Sequence, residues 1–469
     1  MVMQLLFDLP SAAKNFYQSD NSGVAPNPLP GTNVPAHHRV GFMRHHAASK
    51  YLNGAHLQGM TERFVETFKM RIMSSEHISD DQWTELPDFQ DWLQKELFRS
   101  AMRAMCGPHF ERLSPTSADD FWEYMRFIPV YGKGLPRWTN RAAYRARDRV
   151  LGAIMRWHSH AVEHAGCEPR ADDSIWDEYW GAKIMKERYA YATKTEHLSA
   201  EAKASEDLAM IFAMNANAVP ATVWFVLELT RSPELLLRVR KEVSAARIKL
   251  PSGEPSPDPF NLDVHVLGSS ALLQSCYAEI LRLYMTAALM RSPERNDYIL
   301  GRWRFPRGKL IVLSSRTAHH NTDLWNQGTP DDFHPIDKFW SDRFLGVPDD
   351  EVRVGPARVL QTDKEGPTVT KSPSDHDNTS TKTDPEIKFS MERVSAGGWV
   401  PYGGGAHICP GRFFAKNEML ATFALISTAF DIELLDPDMH IEPNMDYFPI
   451  GMLPPKPKLP FRIRRKTTA

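Results

Sequence analysis

Val400-Pro401-Tyr402-Gly403-Gly404-Gly405-Ala406-His407-Ile408-Cys409-Pro410-Gly411-Arg412 runs straight into the helical pattern Phe413-Phe414-Ala415-Lys416-Asn417-Glu418-Met419-Leu420, and this stretch decides how the chain is read. Glycine has no Cβ and tolerates positive φ, so a glycine run lets backbone approach a flat ligand closely. A cysteine at the start of a helix meets unpaired amides and the positive end of the helix dipole. Both favour the thiolate, the form that ligates metals or acts as a nucleophile. Taken alone, a Gly-rich turn before a cysteine more often ends on an inert buried thiol. The remainder of the chain must decide.

Bulk properties set the frame. With 469 residues, 42% hydrophobic and 24% charged, the chain can bury a large core and is not of the disordered class. A formal net charge of −2 gives no reason to invoke nucleic acid or a strongly anionic membrane. Cys106, Cys167, Cys276 and Cys409 lie far apart without a C-x-x-C pair, so neither a zinc module nor a disulfide scaffold is indicated, and a reducing compartment fits. The opening Met1-Val2-Met3-Gln4-Leu5-Leu6-Phe7-Asp8-Leu9-Pro10 is too short and interrupted for a spanning helix or a signal peptide. As written the chain carries no transmembrane anchor, and any membrane contact would be apolar and local.

Residues 1–40 are weakly patterned and loop-like from Asn21 to Pro35, and read as a weakly ordered N-terminal remnant. Helical periodicity begins near His45 and continues through Phe68, and residues 88–170 are mostly helical, with apolar faces at Trp92, Leu93, Leu97, Met102 and Met105. The doublets His37-His38 and His45-His46 and the group His158, His160 and His164 invite a metal reading. His160 and His164 can share a helix face. Without a third ligand at fixed spacing, however, they read as solvated helix histidines.

The stretch from Asp207 to Leu229 is apolar on nearly every side, as in a buried helix or a membrane span. Asn215, Asn217 and Pro220 in its middle argue for a kinked buried helix, with backbone carbonyls freed for a ligand. A helix opens at Ser232-Pro233-Glu234, and a Pro-rich loop covers 250–259. In Leu272-Leu273-Gln274-Ser275-Cys276-Tyr277-Ala278-Glu279-Ile280-Leu281-Arg282-Leu283, Glu279 and Arg282 are spaced as an ordinary intrahelical pair. A turn-punctuated strand pair spans 298–313, and 349–387 is a polar, flexible insertion containing the sequon Asn378-Thr379-Ser380, which a reducing compartment would leave unused. Residues 448–457 suggest a loop dipping toward a pocket before a basic end.

Four motifs in order resemble the cytochrome P450 family from about residue 40 onward: the kinked apolar helix, Glu279-x-x-Arg282, the Phe339-Trp340-Ser341-Asp342-Arg343-Phe344 segment and the cysteine loop. The family loop reads Phe-x-x-Gly-x-Arg-x-Cys-x-Gly. Tyr402, Gly405, Cys409 and Gly411 fall in register, with Tyr for Phe and His407 for Arg. The resemblance implies a mainly α fold with small β-sheets, a single domain over 1–469 and haem b as cofactor. Cys409 would be the axial ligand of the haem iron, its thiolate favouring O–O cleavage. His407 and Arg291 would contact propionates, and Tyr402, Gly405 and Gly411 would shape the haem loop. Glu279, Arg282 and Arg343 would form a structural ion cluster, and Thr286 and Leu289 would line the pocket.

The family usually places an acid and an alcohol on its long distal helix. Here that place reads Ala216-Asn217-Ala218-Val219-Pro220, with Thr222 two residues on, a pattern that resembles the branch containing cholesterol 7-alpha-hydroxylase and prostacyclin synthase. Asn217 is then the catalytic candidate, orienting water or ligand near the iron. Phe-Trp-Ser-Asp-Arg-Phe-Leu resembles fungal members, and the N-terminus looks shortened against the family, which has an anchor, a small sheet and further helices first. The implied function is a monooxygenase inserting one oxygen atom from O2 into a small apolar substrate, in fungal secondary metabolism, with electrons from NADPH-cytochrome P450 reductase. Two alternatives stand beside it: a haem-thiolate isomerase or dehydratase that needs no reductase, and an inactive truncated haem-binding remnant. The expected location is the endoplasmic reticulum membrane surface if the native gene encodes an anchor, and the cytoplasm for the chain as given.

Overall fold

The computed structural model describes residues 2–80, 82–170, 172–293, 296–346, 388–391 and 398–466. The insertion expected at 349–387, with its sequon at Asn378, lies outside the described residues.

The chain begins with α1 (Val2–Phe7) and α2 (Ser11–Ser19), which place Phe7, Leu9 and Ala13 in the interior. This corrects the expectation of a weakly ordered remnant over 1–40. What holds the segment is polar. Arg39 donates to the carbonyls of Ala25 at 2.6 Å and Pro26 at 2.7 Å and to Ser22 Oγ at 3.1 Å. Arg147, 2% exposed, donates to the Leu5 carbonyl at 2.8 Å and to the Asp8 carboxylate. Each guanidinium satisfies loop carbonyls that regular structure leaves unpaired. Such cross-links have no hydropathy period.

The single helical pattern expected from His45 to Phe68 is divided into α3 (Val40–Tyr51) and α4 (Gly54–Met73). After β1 (Thr84–Leu86), Asp88 caps α5 (Phe89–Cys106) by accepting the Gln90 amide at 3.1 Å. The face of α5 bearing Leu93, Leu97, Met102 and Met105 is buried. Then come α6 (Pro108–Leu113), α7 (Ser117–Arg126), α8 (Ile128–Tyr131), α9 (Arg141–Ala165), the hairpin β2 (Trp176–Asp177) and β3 (Gly181–Ala182), and α10 (Lys183–Lys194).

The long apolar stretch forms two helices, α11 (Ala200–Asn215) and α12 (Ala218–Arg231). It has the length and composition of a membrane span, but 72% of its apolar window is buried inside the fold. The break falls at Ala216 and Asn217. Pro220 lies in the first turn of α12, where its missing N–H leaves no intrahelical bond unmade. Next are α13 (Pro233–Ala245), whose first turn is capped by Ser232 Oγ, α14 (Val264–Ser269) and α15 (Ala271–Tyr284). β4 (Ala288–Arg291) pairs antiparallel with β7 (Ile311–Ser314), and β5 (Tyr298–Leu300) with β6 (Trp303–Phe305). α16 (Ser315–His319) comes next, and α17 (Arg412–Ala429) and β8 (Phe430–Leu434) follow the cysteine loop. β9 (Phe461–Arg465) runs between β1 and β8, with Ile463 opposite both Thr84 and Ile432. Its Phe461 and Ile463 are buried while Arg462 and Arg464 alternate outward onto Trp83, as a strand with one buried face requires.

One contiguous hydrophobic cluster runs from Phe7 to Ile463, and α12 lies at its centre against α5, α15 and α17. We expect Arg147→Met to loosen α1 alone, because the Leu5 carbonyl loses its donor and Asp8 keeps only exposed Arg137, while the central helices keep their contacts. Amide exchange over residues 2–19 should accelerate by about ten- to a hundredfold, and α5 and α12 should keep wild-type protection.

Candidate functional site

Three charges lie beneath the cysteine loop with almost no access to water. Glu279 on α15 is 0% exposed, as is Arg282, and Arg343 is 4% exposed. Arg282 grips the carboxylate from one side, Nε to Oε2 at 2.7 Å and Nη2 to Oε1 at 2.9 Å. Arg343 Nε reaches Oε1 at 2.8 Å, and the Trp340 amide adds a contact at 3.3 Å. Burial alone would push Glu279 up, but the Arg282 and Arg343 charges outweigh it and hold the carboxyl below its ordinary value. The remaining guanidinium donors go to backbone: Arg282 to the carbonyls of His319 at 2.8 Å and Ile336 at 2.6 Å, Arg343 to those of Pro335 at 2.9 Å and Lys338 at 3.1 Å. The cluster is thus fully spent on bonding, and nothing in it is left to act on a substrate.

Its link to the loop runs through Tyr402, which the sequence marked, and through His319, Trp399 and Tyr277, which it did not. His319, whose carbonyl Arg282 holds, accepts the Val400 amide on Nε2 at 3.1 Å. Burial, then the Arg282 charge, push His319 down to about 4, so the ring stays neutral and can accept. Trp399 Nε1 donates to the Ala278 carbonyl at 3.2 Å, and the hydroxyls of Tyr277 and Tyr402 bond each other. Three tethers therefore fix the loop's entry, two to α15 and one to α16. A lone histidine and a pair of aromatics carry no motif, so only their place beside E-x-x-R could have marked them.

Within the loop, the Cys409 amide donates to the Tyr402 carbonyl at 3.0 Å, closing a turn in which Gly405 has φ +66°. The thiol sits just before α17. Burial pushes Cys409 above its ordinary value, while the Gly411 and Arg412 amides and the Arg412 charge pull it back. The helix start acts in the expected direction, but burial outweighs it, so the thiolate needs a cation bound to it. Arg412 also donates to the Cys409 carbonyl at 2.9 Å.

The other expected residues distribute unevenly. Arg291 reaches the loop, its Nη2 donating to the Gly404 carbonyl at 3.1 Å. Leu289, beside it on β4, borders Gly403. His407 is exposed in the turn that precedes Cys409. Thr286 is buried and donates to the Gly451 carbonyl at 2.8 Å, so it holds the C-terminal loop rather than facing a pocket. Asn217 is similarly engaged: its Oδ1 accepts the Met452 amide at 2.9 Å. A Cβ on Gly451 would come 2.1 Å from that oxygen, so the approach requires glycine. Trp224 Nε1 donates to the Leu453 carbonyl at 2.8 Å, and the Leu453 amide to that of Tyr284 at 3.0 Å. The loop expected to dip inward at 448–457 is thereby pinned to α12 and α15. Thr222 is buried, with its hydroxyl donating to the Ala218 carbonyl at 2.8 Å.

The donor set around Cys409 suits iron already held in a macrocycle. A bare metal ion needs three or four protein ligands, yet among the described residues the cluster with metal-ligand spacing is His160, Glu163 and His164, away from this loop. Cys409 offers one soft ligand, flanked by exposed apolar Ile408 and Phe413 and by the cations Arg291 and Arg412. Gly404 and Gly405 present bare backbone, with no atom within 4 Å of where a Cβ would stand. One thiolate, exposed apolar side chains and cations for peripheral carboxylates fit haem.

Comparison with known proteins agrees. The family model for cytochrome P450 matches residues 110–345 and 384–461. The cytochrome P450 monooxygenase efuG of Hormonema carpetanum is 38% identical over 422 residues, covering 90% of this chain and 72% of that protein. The cytochrome P450 monooxygenase fsoE of Humicola fuscoatra is 36% identical, covering 90% and 70%. More distantly, the cholesterol 7-alpha-monooxygenase of Cricetulus griseus is 23% identical, covering 89% and 74%. The crystal structure of the cytochrome P450DA heme domain superposes with a TM-score of 0.58 over 99% of this chain and 87% of that one, at 13% identity, and so shares the fold.

Two outcomes follow from the buried cluster. Arg343→Met strands half of the Glu279 charge and should cost about 3–5 kcal/mol in urea unfolding, with loss of bound haem before global unfolding. His319, lowered in the folded state, binds its proton later than in the unfolded chain, so stability present above about pH 6.5 is lost as pH falls toward about 4. His320, pushed by burial to about 4 as well, contributes to the same window. His319→Gln keeps an acceptor for Val400 and removes one titration, so its stability loss between about pH 7 and about pH 5 should be smaller than wild type by ~1–2 kcal/mol.

Proposed function

This chain belongs to the cytochrome P450 family, and on that premise we propose that it inserts one oxygen atom from O2 into a small apolar substrate of fungal secondary metabolism. It is a haem-dependent monooxygenase; the substrate class is the proposal, favoured by the fungal sources of the relatives above 35% identity. The observation that carries the assignment of residues is the placement of Cys409 before α17, with the Gly411 and Arg412 amides directed at its sulfur. Haem, bound through its iron, supplies the oxygen chemistry.

The residues of this chain supply position and electrostatics. Cys409 would hold the haem iron through its sulfur in this reading, and the two amides on that sulfur would limit how much charge it donates, in the way surrounding hydrogen bonds tune metal ligands. Arg291 and His407 are the candidates for the propionates, the arginine with a guanidinium fork and the histidine with a single ring donor. Tyr402, Gly405 and Gly411 keep the loop in register with Cys409. Asn217 keeps its carbonyl on Met452 and leaves Nδ2 without a protein partner among the described residues, so it can donate to water or ligand at the break between α11 and α12. Glu279, Arg282 and Arg343 hold the loop and take no part in the reaction.

P450 monooxygenases draw electrons from a redox partner, and NADPH-cytochrome P450 reductase is the one proposed. The proposed location is the endoplasmic reticulum membrane surface. A second reading, a haem-thiolate isomerase or dehydratase independent of reductase, draws support from Thr222. Its hydroxyl is committed to the Ala218 carbonyl, and no acid precedes it at the family's relay position.

The test is the absorbance of the dithionite-reduced, CO-treated protein beside Cys409→Ser. A strongly red-shifted Soret band in wild type, lost in the variant, supports thiolate ligation. Absence of the band leaves the inactive-remnant reading. Turnover that requires both NADPH and reductase selects oxygen insertion, and turnover without either selects the isomerase.

A further inference from the structure

The sequence offers His160 and His164 without a third ligand, and the fold supplies one. α6 carries His109, 7% exposed, to the side of α9, where its Nδ1 lies 3.1 Å from His160 Nε2. One turn on, His164 and Glu163 complete a group. His160, Glu163 and His164 each present a ligand atom within 4.8 Å of the others. Tetrahedral zinc with Zn–N of about 2.05 Å holds its ligand atoms about 3.4 Å apart, so small rotations would close this set on an ion.

The rings are also oriented as ligands. His164 Nδ1 faces the His160 carbonyl at 2.9 Å, which places the proton there and turns the lone pair of Nε2 outward. His109 Nε2 faces the Glu178 carboxylate at 3.7 Å, which turns its Nδ1 lone pair toward His160. Metal-binding histidines characteristically give their far nitrogen to a carbonyl or carboxylate in this way. Tyr179 stacks against both rings, at 4.8 Å from His109 and 5.3 Å from His164, and limits their rotation.

Glu178 and Tyr179 are held in place by an unusually close backbone approach. A Cβ on Gly107 would stand 2.3 Å from the Glu178 carbonyl oxygen, and one on Gly181 would stand 2.2 Å from that of Met105. The turn between β2 and β3 therefore cannot drift from the α5–α6 junction that carries His109.

We propose that His160, Glu163 and His164 bind one zinc ion and that His109, 3.1 Å from His160 but outside that set of mutually close ligand atoms, turns in as the fourth ligand and clamps α6 to α9 at a site separate from the cysteine loop. Each imidazole binds as the neutral form, with the His160 proton moving from Nε2 to Nδ1. α9 packs on α11, so the clamp bears on the helix that ends at the Asn217 break.

The test uses the haem-loaded full chain, freed of metal with a chelator and titrated with zinc chloride against a chromophoric competitor. One equivalent should bind. The His160→Ala/His164→Ala double variant, folded as judged by an unchanged Soret band, should bind at least about a hundredfold more weakly, and Glu178→Gln about tenfold more weakly. Zinc-edge X-ray absorption should show nitrogen and oxygen ligands only. Binding by the double variant as tight as wild type, a sulfur ligand, or no binding by wild type would each overturn the proposal.

Discussion

A carboxylate sealed from water is tolerable only when its charge is answered in full, and Glu279 is answered twice. Desolvating an ion costs several kcal/mol, and two guanidinium groups with good geometry return that cost. The arrangement contributes little net stability compared with an apolar packing of the same volume. Its value lies in what the leftover donors do. Arg282 engages the carbonyls of His319 and Ile336, and Arg343 those of Asn326, Pro335 and Lys338, so the end of α16 and the irregular chain after it are drawn to one place on α15. Through His319 and Val400 that order extends to the loop bearing Cys409.

The opposite side of the site is organised by a different device. The break between α11 and α12 leaves Asn217 outside regular helix, and its side chain takes the place of a helical partner for the Met452 amide. Trp224, Thr286 and Tyr284 add bonds to the same loop, so the C-terminal segment depends on α12 and α15 together. The central helix thus serves the core along one half and a loop at its interrupted end.

What was legible in the sequence follows the range of the interactions involved. Cys409 and its glycines lie within one turn of each other, and Glu279 and Arg282 within one helical turn, so local spacing revealed both. The break near Asn217 was visible because Asn and Pro interrupt an apolar run. The partners of those residues were not visible. Asn217 meets Met452, and His319 meets Val400, across long stretches of chain that no period connects. The ordered state of residues 2–40 was missed for a related reason, since it rests on Arg39 and Arg147 reaching backbone carbonyls. Of the histidines read as solvent-facing, His164 is exposed, but His158 is buried against Asp207 at 2.8 Å, 49 residues along the chain.

The small sheet built on β9 constrains the order in which the molecule can be assembled during translation. β9 is the middle strand, and its neighbour β1 belongs to the first fifth of the chain. The bond between Arg465 and Asp80 spans 385 residues, and that between Leu459 and Asp88 spans 371. On a ribosome, β1 and the start of α5 therefore emerge long before the strand that covers them. The amino-terminal helices must wait with Phe89 and Trp92 uncovered, because Phe461 is the ring that packs on both. Nascent chains of this protein are consequently exposed at that surface for nearly the whole of synthesis, a natural point for chaperone engagement.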